Sequence, residues 1–129
     1  MGVSKRSFGN LGEEYAVKLL KREGYQIIER NFTIKLGEID IVTRVGDSLI
    51  FVEVKTRWSK KYGAPEEAVT PWKLAKIRRV AQYFMIFHPH LPQKARIEVV
   101  AIEVEKGRVT SAKIIKVDYD QIPKYYRSV

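Results

Sequence analysis

The sequence is most informative first in what it lacks. Its 129 residues include no cysteine, which excludes disulfides and thiolate metal sites and is typical of a reducing compartment. No apolar run is long enough to cross a membrane, and residues 1–8 lack the hydrophobic segment of a signal peptide. There is also no repeat and no long linker. We therefore expect one cytoplasmic domain over 1–129, with a basic lead-in over 1–8 and a tail over 117–129.

Acidic residues are few. The chain has 24 Lys and Arg against 15 Asp and Glu, for a net charge of +9. Such an excess favours polyanions, nucleic acid first and an anionic membrane surface second, although no amphipathic anchor helix supports the membrane. Many basic proteins bind neither, so charge alone leaves the partner open. Its value lies in the contrast with several acids that fall on one face of a predicted sheet.

Hydrophobic periodicity and turn residues predict the order αβββαββ, an α/β fold with two helices packed on a mixed sheet of about five strands. The predicted helices are Asn10–Glu23, capped by Asn10 and ended by Gly24, and Pro71–Phe87. The predicted strands are Tyr25–Thr33, Glu38–Val45, Ser48–Lys55, Arg96–Glu105 and Arg108–Lys116. Residues 56–70 are predicted to form an exposed basic loop.

Strands two and three are predicted to form a tight hairpin around the turn Gly46–Asp47. Cross-strand pairs then have residue numbers that sum to 93, which sets Asp40 against Glu53 and Glu38 against Lys55 on one face. Opposed Cβ atoms lie roughly 4.5–5.5 Å apart. Two carboxylates at that distance repel by roughly 3 kcal/mol at an effective dielectric near 20. A cation between them relieves the repulsion, so the hairpin predicts a divalent-metal site.

A second interpretation of these residues is an exposed charged patch in which Glu38 pairs with Lys55 and Asp40 is solvated. The other face of the hairpin is wholly apolar (Ile39, Ile41, Ile50, Val52 and Val54). The charged face also becomes apolar towards the turn, at Val42, Leu49 and Phe51. Both faces are therefore expected to be covered, which places the acids at the mouth of a cleft.

These residue types suit phosphodiester hydrolysis. Carboxylate oxygens of Asp40 and Glu53 are hard ligands for Mg²⁺ or Mn²⁺. A bound cation lowers the pKa of a water and neutralises charge on a phosphodiester. Lys55 lies two residues after Glu53 and points to the same site, where it could orient the water or stabilise the transition state.

The segment Gly37–Asp40 followed by Phe51–Arg57 resembles the PD-(D/E)XK nuclease signature. More narrowly, the chain is similar to the YraN-like family of small bacterial proteins, which are predicted endonucleases. The further matching segments are Gly9–Ala16, Arg30–Asn31, Gly63–Pro65, Ala68–Thr70, Lys73 and Val99–Ile102. Archaeal Holliday-junction resolvases share the same core. The resemblance therefore implies a Mg²⁺- or Mn²⁺-dependent endonuclease acting on DNA, which is branched in the resolvases, and it implies a homodimer.

The resemblance also assigns roles to residues. It implies that Asp40, Glu53 and the carbonyl of Val54 are metal ligands, that Lys55 is the catalytic lysine, and that Glu13 is a helix glutamate near the metal. Helical spacing independently turns Glu13 towards the covered side of its helix, although a first-turn acid favoured by the helix dipole has the same position. The family's later strand usually reads Arg-Phe-Asp-Val-Val. Here it is Arg96–Val100, with Glu98 in the acidic position, which leaves the role of that acid open.

Other residues are candidates for contacts with nucleic acid. The candidate phosphate contacts are Arg57, Lys60, Lys61, Lys73, Arg78 and Arg79. Lys73, at the start of the second helix, contacts either DNA or the active site, or is an ordinary solvated lysine. Trp58 and Trp72 either stack on unpaired bases or pack under the basic loop. His88 and His90 are interpreted as loop residues rather than zinc ligands. The sequence leaves three uses of the aromatic and basic tail open: it covers the sheet edge, forms a dimer or contacts DNA. Its residues are Tyr119, Lys124, Tyr125, Tyr126 and Arg127.

Two other functions stay open. One is a nucleic-acid-binding module that keeps the nuclease fold without catalysis, and the other is an interaction protein whose basic face docks an acidic partner. The first predicts salt-sensitive binding without cleavage. Intact Asp40, Glu53 and Lys55 favour the enzyme.

Overall fold

The computed structural model describes residues 5–58, 69–118, 120 and 122, with 5–10 as backbone only. Its helices are α1 (Lys5–Arg22) and α2 (Pro71–Phe87). Its strands are β1 (Gln26–Ile34), β2 (Gly37–Val45), β3 (Ser48–Arg57), β4 (Lys94–Glu105) and β5 (Arg108–Val117). The predicted order αβββαββ is confirmed. Within the described ranges, the helices are too short or too polar to span a bilayer.

The five strands form one sheet in the order β1-β2-β3-β4-β5. Strands β3 and β4 are parallel and the other neighbours are antiparallel, which confirms the mixed sheet. A parallel pair needs a crossover, and α2 lies in the connection between β3 and β4. Helix α2 packs on one face, where its Phe84 contacts Phe51, and α1 packs on the other, against Ile50 and Val100.

Helix α1 begins at Lys5, not at the predicted Asn10. Asn10 is therefore inside the helix, and part of the predicted lead-in is helical. Asparagine has only a modest helix penalty, unlike proline, so a capping residue does not by itself prevent a helix from starting earlier. The end of the helix was predicted correctly, because Gly24 adopts a φ of +92°, which closes a helix at low cost only for glycine.

Helix α2 begins where the sequence places it. The Thr70 side chain accepts a hydrogen bond from the Lys73 backbone N–H at 3.2 Å, and Pro71 occupies the first helical position. His88 ends the helix, and its Nδ1 lies 2.8 Å from the carbonyl oxygen of Phe84. The cap fixes the first turn of α2, which carries Trp72 and Lys73, beside the sheet.

The hairpin has the predicted register. Strands β2 and β3 pair from Val45 and Ser48 at the turn to Ile41 and Val52, every pair summing to 93. Beyond that point β2 stays paired with β1 and β3 with β4, as in the pair of Glu53 with Val99. The described sheet therefore opens between Asp40 and Glu53. We call this opening the fork.

Candidate active site

Two acids meet at the fork. The backbone N–H of Val54 donates to Asp40 Oδ2 at 2.8 Å. A hydrogen bond to a side chain thus takes the place of a backbone–backbone hydrogen bond where β2 and β3 separate. Glu53 is only 6% exposed. Burial, followed by the neighbouring charge of Glu53, raises the pKa of Asp40 to about 8. The predicted meeting of Asp40 and Glu53 is thus present, and ionising both acids is costly.

Two lysines complete this cluster. Lys73 Nζ lies 2.8 Å from Glu53 Oε1. Burial opposes the charge on Lys73, but its contact with Glu53 holds the pKa of Lys73 above the usual value. Lys55 lies against Lys73, and that contact, together with burial, lowers the pKa of Lys55. The sequence placed Lys55 opposite Glu38 and missed the pairing of the two lysines, because Lys73 arrives from a distant helix.

The donor atoms suit a hard divalent cation. Asp40 and Glu53 provide carboxylate oxygens, and a bound cation would favour the ionised form of Asp40, whose pKa is raised by burial and by the charge of Glu53. Within the described ranges, no three His, Cys, Asp or Glu side chains converge as a ligand set. A cation here would need the Val54 carbonyl and waters as further ligands, an arrangement that Mg²⁺ accepts readily.

Helix α1 brings Glu13 to the same region. A Cβ on the preceding Gly12 would overlap the hydroxyl of Thr56 on β3, so only glycine permits this approach. Burial raises the pKa of Glu13, Arg30 lowers it, and the nearby charges of Glu38 and Glu53 raise it further. The structure therefore places Glu13 beside the fork, as predicted for the helix glutamate.

Asn31 is a site residue that the sequence did not assign a role. It lies on β1 in the left-handed region, with a φ of +55°, a conformation that asparagine tolerates better than most residues. With its amide oriented to satisfy its neighbours, the nitrogen donates to Glu13 Oε1 and to Glu38 Oε1, each at 3.0 Å. Asn31 thus contacts Glu38, for which the sequence left two roles open, holding Lys55 or joining the site, and Glu38 lines the cavity beside Asp40.

The strand alternation breaks at the level of Asn31. Ile39 packs in the cluster on the α2 face, whereas Ile41 packs on the α1 face. Two residues of the same strand separated by one position normally share a face, as the sequence predicted for these two. The left-handed residue on β1 accompanies this irregularity, and Asp40 lies between the two isoleucines at the fork.

Two neighbouring cavities open beside these residues. The first, here the active-site cavity, has a volume of about 260 Å³, and its lining includes Asp40, Glu53, Lys73, Trp72 and Lys76. The second, here the side groove, has a volume of about 190 Å³ and is lined by Leu36, Trp72, Ala75, Lys76 and Arg79. Trp72 lines both cavities and is 49% exposed. Residues 59–68 of the predicted basic loop lie outside the described residues, so the packing of Trp72 under that loop stays a prediction.

The predicted phosphate contacts divide into three groups. Lys73 lines the active-site cavity and Arg79 the side groove. Arg57 is buried, and among the described residues its terminal nitrogens have no hydrogen-bond partner; Arg78 donates to the Ile122 carbonyl at 2.7 Å. Neither therefore has the exposed position that the prediction assumed. Lys60, Lys61 and the aromatic tail residues lie outside the described residues.

Glu98 lies on β4 opposite Val52, next to the fork, and its side chain bonds to residues outside the acidic pair. It is fully buried, and the hydroxyl of Tyr25 donates to its Oε1 at 2.5 Å while Arg96 Nε lies 3.5 Å from its Oε2. Burial, followed by the bond to Glu98, raises the pKa of Tyr25. This strand acid therefore ties the start of β1 to β4.

Comparison with known proteins places this site within a family. The profile described as "Uncharacterised protein family UPF0102" matches residues 12–102, a span that includes every residue of the fork. A UPF0102 protein of Caldicellulosiruptor saccharolyticus is 44% identical over 115 residues, which cover 88% of this chain and 98% of the relative. UPF0102 proteins of Syntrophomonas wolfei and Moorella thermoacetica are 43% and 38% identical, covering 80% and 90% of this chain and 90% and 98% of the relatives.

Proposed function

The chain belongs to the uncharacterised protein family UPF0102, and we propose that it is a Mg²⁺- or Mn²⁺-dependent endonuclease that hydrolyses phosphodiester bonds in DNA. The family is the one to which the YraN-like resemblance pointed. The names of the relatives described above state no activity, so the proposal depends on the geometry of the site. The observation that carries it is the fork, where Asp40 and Glu53 meet within a cluster that also holds two lysines.

The donor set supports binding of a cation at Asp40, Glu53 and the Val54 carbonyl. When bound, it would supply charge for the phosphate and acidify a water. Burial and, after it, the charge of Glu53 raise the pKa of Asp40, and a bound cation would offset the contribution of Glu53. Because Mg²⁺ usually keeps several waters and binds substrate phosphate, a site with only two acids is sufficient.

The lysines are suited to distinct roles. Lys55 has a lowered pKa because of Lys73 and burial, which brings its amine closer to proton exchange with an attacking water. Lys73 keeps its charge beside Glu53, within reach of a phosphate in the active-site cavity. Glu13, bonded by Asn31, lies close enough to influence the cluster through water or directly. Together these groups position a phosphodiester for hydrolysis.

We also place the chain in the PD-(D/E)XK superfamily, on the combination of the fork with the motif Glu53–Lys55. The similarity to Holliday-junction resolvases favours a branched substrate. Symmetric cutting of a junction needs two active sites, so this version of the proposal requires a homodimer. Sedimentation that shows only monomer, with and without four-way DNA, would contradict symmetric cleavage of a four-way junction.

The test is a cleavage panel of linear, flapped and four-way DNA with Mn²⁺. We expect cleavage that EDTA abolishes and that falls at least about a hundredfold in Asp40→Ala and Glu53→Ala, the range for losing one key polar group in an active site. Asp47→Ala, at the turn end of the same hairpin, is the matched control and should cleave normally. Activity unchanged in the Asp40 and Glu53 variants would belong to a contaminant.

Absence of cleavage on every substrate, together with salt-sensitive DNA binding, would favour the non-catalytic module. Calorimetric titration with Mn²⁺ separates the two functions further, because the enzyme requires a cation site that Asp40→Asn weakens. Binding of Mn²⁺ that is equal in the variant and the wild type would contradict the proposed site.

A further inference from the structure

The side groove has no role in the proposed chemistry, although it adjoins the active site. Its apolar part consists of Leu36, Ala75 and the ring of Trp72, and its edge carries Lys76 and Arg79. Half of the Trp72 surface is exposed (49%), even though the residue lies on the first turn of a well-capped helix. A half-exposed indole beside the active-site cavity is a surface that a ligand can contact.

We propose that the side groove binds one unpaired nucleobase of the DNA substrate, stacked on Trp72 next to the bond to be cut. The proposal rests on the proposed function and specifies its substrate class: DNA with an unpaired nucleotide beside the scissile phosphate. The geometric basis is continuity, because Trp72 and Lys76 line both cavities. A strand whose phosphate lies at the fork therefore enters the side groove with its adjoining nucleotide.

The charges around the groove match a nucleotide. Helix α2 contains Lys73, Lys76, Arg78 and Arg79 and no acidic residue. Lys76 Nζ lies over the Trp72 ring, 5.1 Å from its centre, so a cation is in direct contact with the proposed platform. Basic groups next to an aromatic face bind the phosphate and the base of the same nucleotide, the arrangement found in proteins that bind single strands.

The base must be unpaired because a paired base already has both faces stacked within the duplex. To reach Trp72 it has to leave the stack, which costs least for a flap, bulge or junction nucleotide. Blunt duplex DNA would contact only the basic edge of the groove. The groove thus discriminates by the availability of a base face rather than by base identity.

The first experiment detects stacking directly. In a Trp58→Phe background Trp72 is the only tryptophan, and EDTA prevents cleavage. We expect a short oligothymidylate to quench the fluorescence of Trp72, and blunt duplex DNA to leave it unchanged. Equal quenching by both DNAs, or by neither, would overturn the proposal.

The second experiment measures affinity for the same two DNAs by anisotropy in EDTA. Trp72→Ala should weaken binding of the oligothymidylate by roughly 5- to 150-fold, the range for loss of one stacked base, and leave duplex binding unchanged. Trp72→Phe, which keeps a ring, should restore most of the affinity. Tyr83→Ala removes an exposed aromatic elsewhere on α2 and should change neither.

These outcomes are separable from those of the cleavage panel. Loss of single-strand affinity in Trp72→Ala without cleavage by the wild type would keep the base site and remove the nuclease. Cleavage with unaltered affinity in Trp72→Ala would keep the nuclease and remove the base site. Unaltered DNA binding together with a protein partner that Trp72→Ala releases would assign the groove to a peptide instead, and would also overturn the proposal.

Discussion

The ion pair of Lys73 with Glu53 has a consequence for metal binding. The ammonium lies 2.8 Å from a carboxylate that we assign as a metal ligand, in a largely buried place. A divalent cation and Lys73 therefore compete for the same negative charge. The lysine can neutralise Glu53 before the cation arrives and contact substrate phosphate afterwards.

Replacing Lys73 should consequently strengthen metal binding while weakening catalysis. For Lys73→Met we expect the dissociation constant for Mn²⁺ to fall by roughly 2- to 10-fold, as for a contact of about 0.5–1.5 kcal/mol. Titration calorimetry measures this directly. Lys76→Met is the control, because Lys76 lines the same cavity but places its ammonium over Trp72. Unchanged or weaker Mn²⁺ binding in Lys73→Met would mean that no competition occurs.

The ionisation of Asp40 should set a pH dependence of stability in the metal-free protein. Its folded-state pKa of about 8 lies above the ordinary value of 3.8. The protonated acid therefore favours folding below about pH 4, and this advantage is lost as the pH rises towards 8. The amide introduced by Asp40→Asn would stay neutral throughout. In EDTA, this variant should be more stable than the wild type at pH 8, with the difference shrinking towards pH 4.

Urea unfolding across that pH range measures this difference. Saturating Mn²⁺ should reverse the order at pH 8, because only the wild type gains binding energy. Asp47→Asn, which removes an exposed carboxylate paired with Lys94, should show no such gain. A constant difference between Asp40→Asn and the wild type at all pH values would indicate that Asp40 has an ordinary pKa.

At this scale the sequence predicted the meeting of Asp40 and Glu53, because the hairpin register depends only on a local turn. It could not predict the contact of Lys73 with Glu53, which depends on where a helix packs 20 residues further along the chain. The left-handed Asn31 was also missed. Asparagine permits that conformation without requiring it, so the residue type gives only a weak signal.

At the scale of elements, the close approach of α1 to β3 determines where Glu13 lies. Gly12 on the helix faces Thr56 on the strand with no room for a methyl group. The hydroxyl of Thr56 is on a β-branched side chain and cannot swing away easily. The spacing between α1 and β3 thus depends on the absence of a Cβ atom at Gly12.

Gly12→Ala should destabilise the protein by roughly 1–3 kcal/mol, as overpacking does. The sign is informative, since alanine inside a helix is otherwise favoured over glycine by about 1 kcal/mol. Thr56→Ala removes the clashing oxygen, so the double variant should recover most of the loss in thermal unfolding. Stability that rises in Gly12→Ala alone would show that α1 does not approach β3 in this way.

Element boundaries were predictable where a residue imposes them. Thr70 and Pro71 start α2, Gly24 ends α1, and Gly46–Asp47 closes the hairpin. The start of α1 was not predictable, since no residue near it forbids a helix. The fork was also beyond prediction, because the hairpin pattern continues past Ile41 and Val52 although the ladder between β2 and β3 ends at that pair.

At the scale of the whole molecule, the net charge of +9 is distributed over several surfaces. Helix α2 carries its exposed Lys76 and Arg79 beside the cavities, whereas β5 carries exposed Arg108 and Lys116 at the far edge of the sheet. Charges at both places add to the net charge that attracts DNA, but release of counterions requires contact with phosphate. Variants of the two pairs therefore distinguish the effect of net charge from the effect of direct contact with phosphate.

Salt dependence of binding to duplex DNA, measured by anisotropy in EDTA, should distinguish these pairs. The plot of log affinity against log salt has a slope of about −0.9 per phosphate contact, so Lys76→Gln with Arg79→Gln should make the slope shallower by close to 2. Arg108→Gln with Lys116→Gln removes the same net charge and should leave the slope within error of the wild type. Equal changes of the slope in both double variants would mean that DNA binds to no particular face of the protein. That result would contradict binding of the duplex at α2, beside the active site.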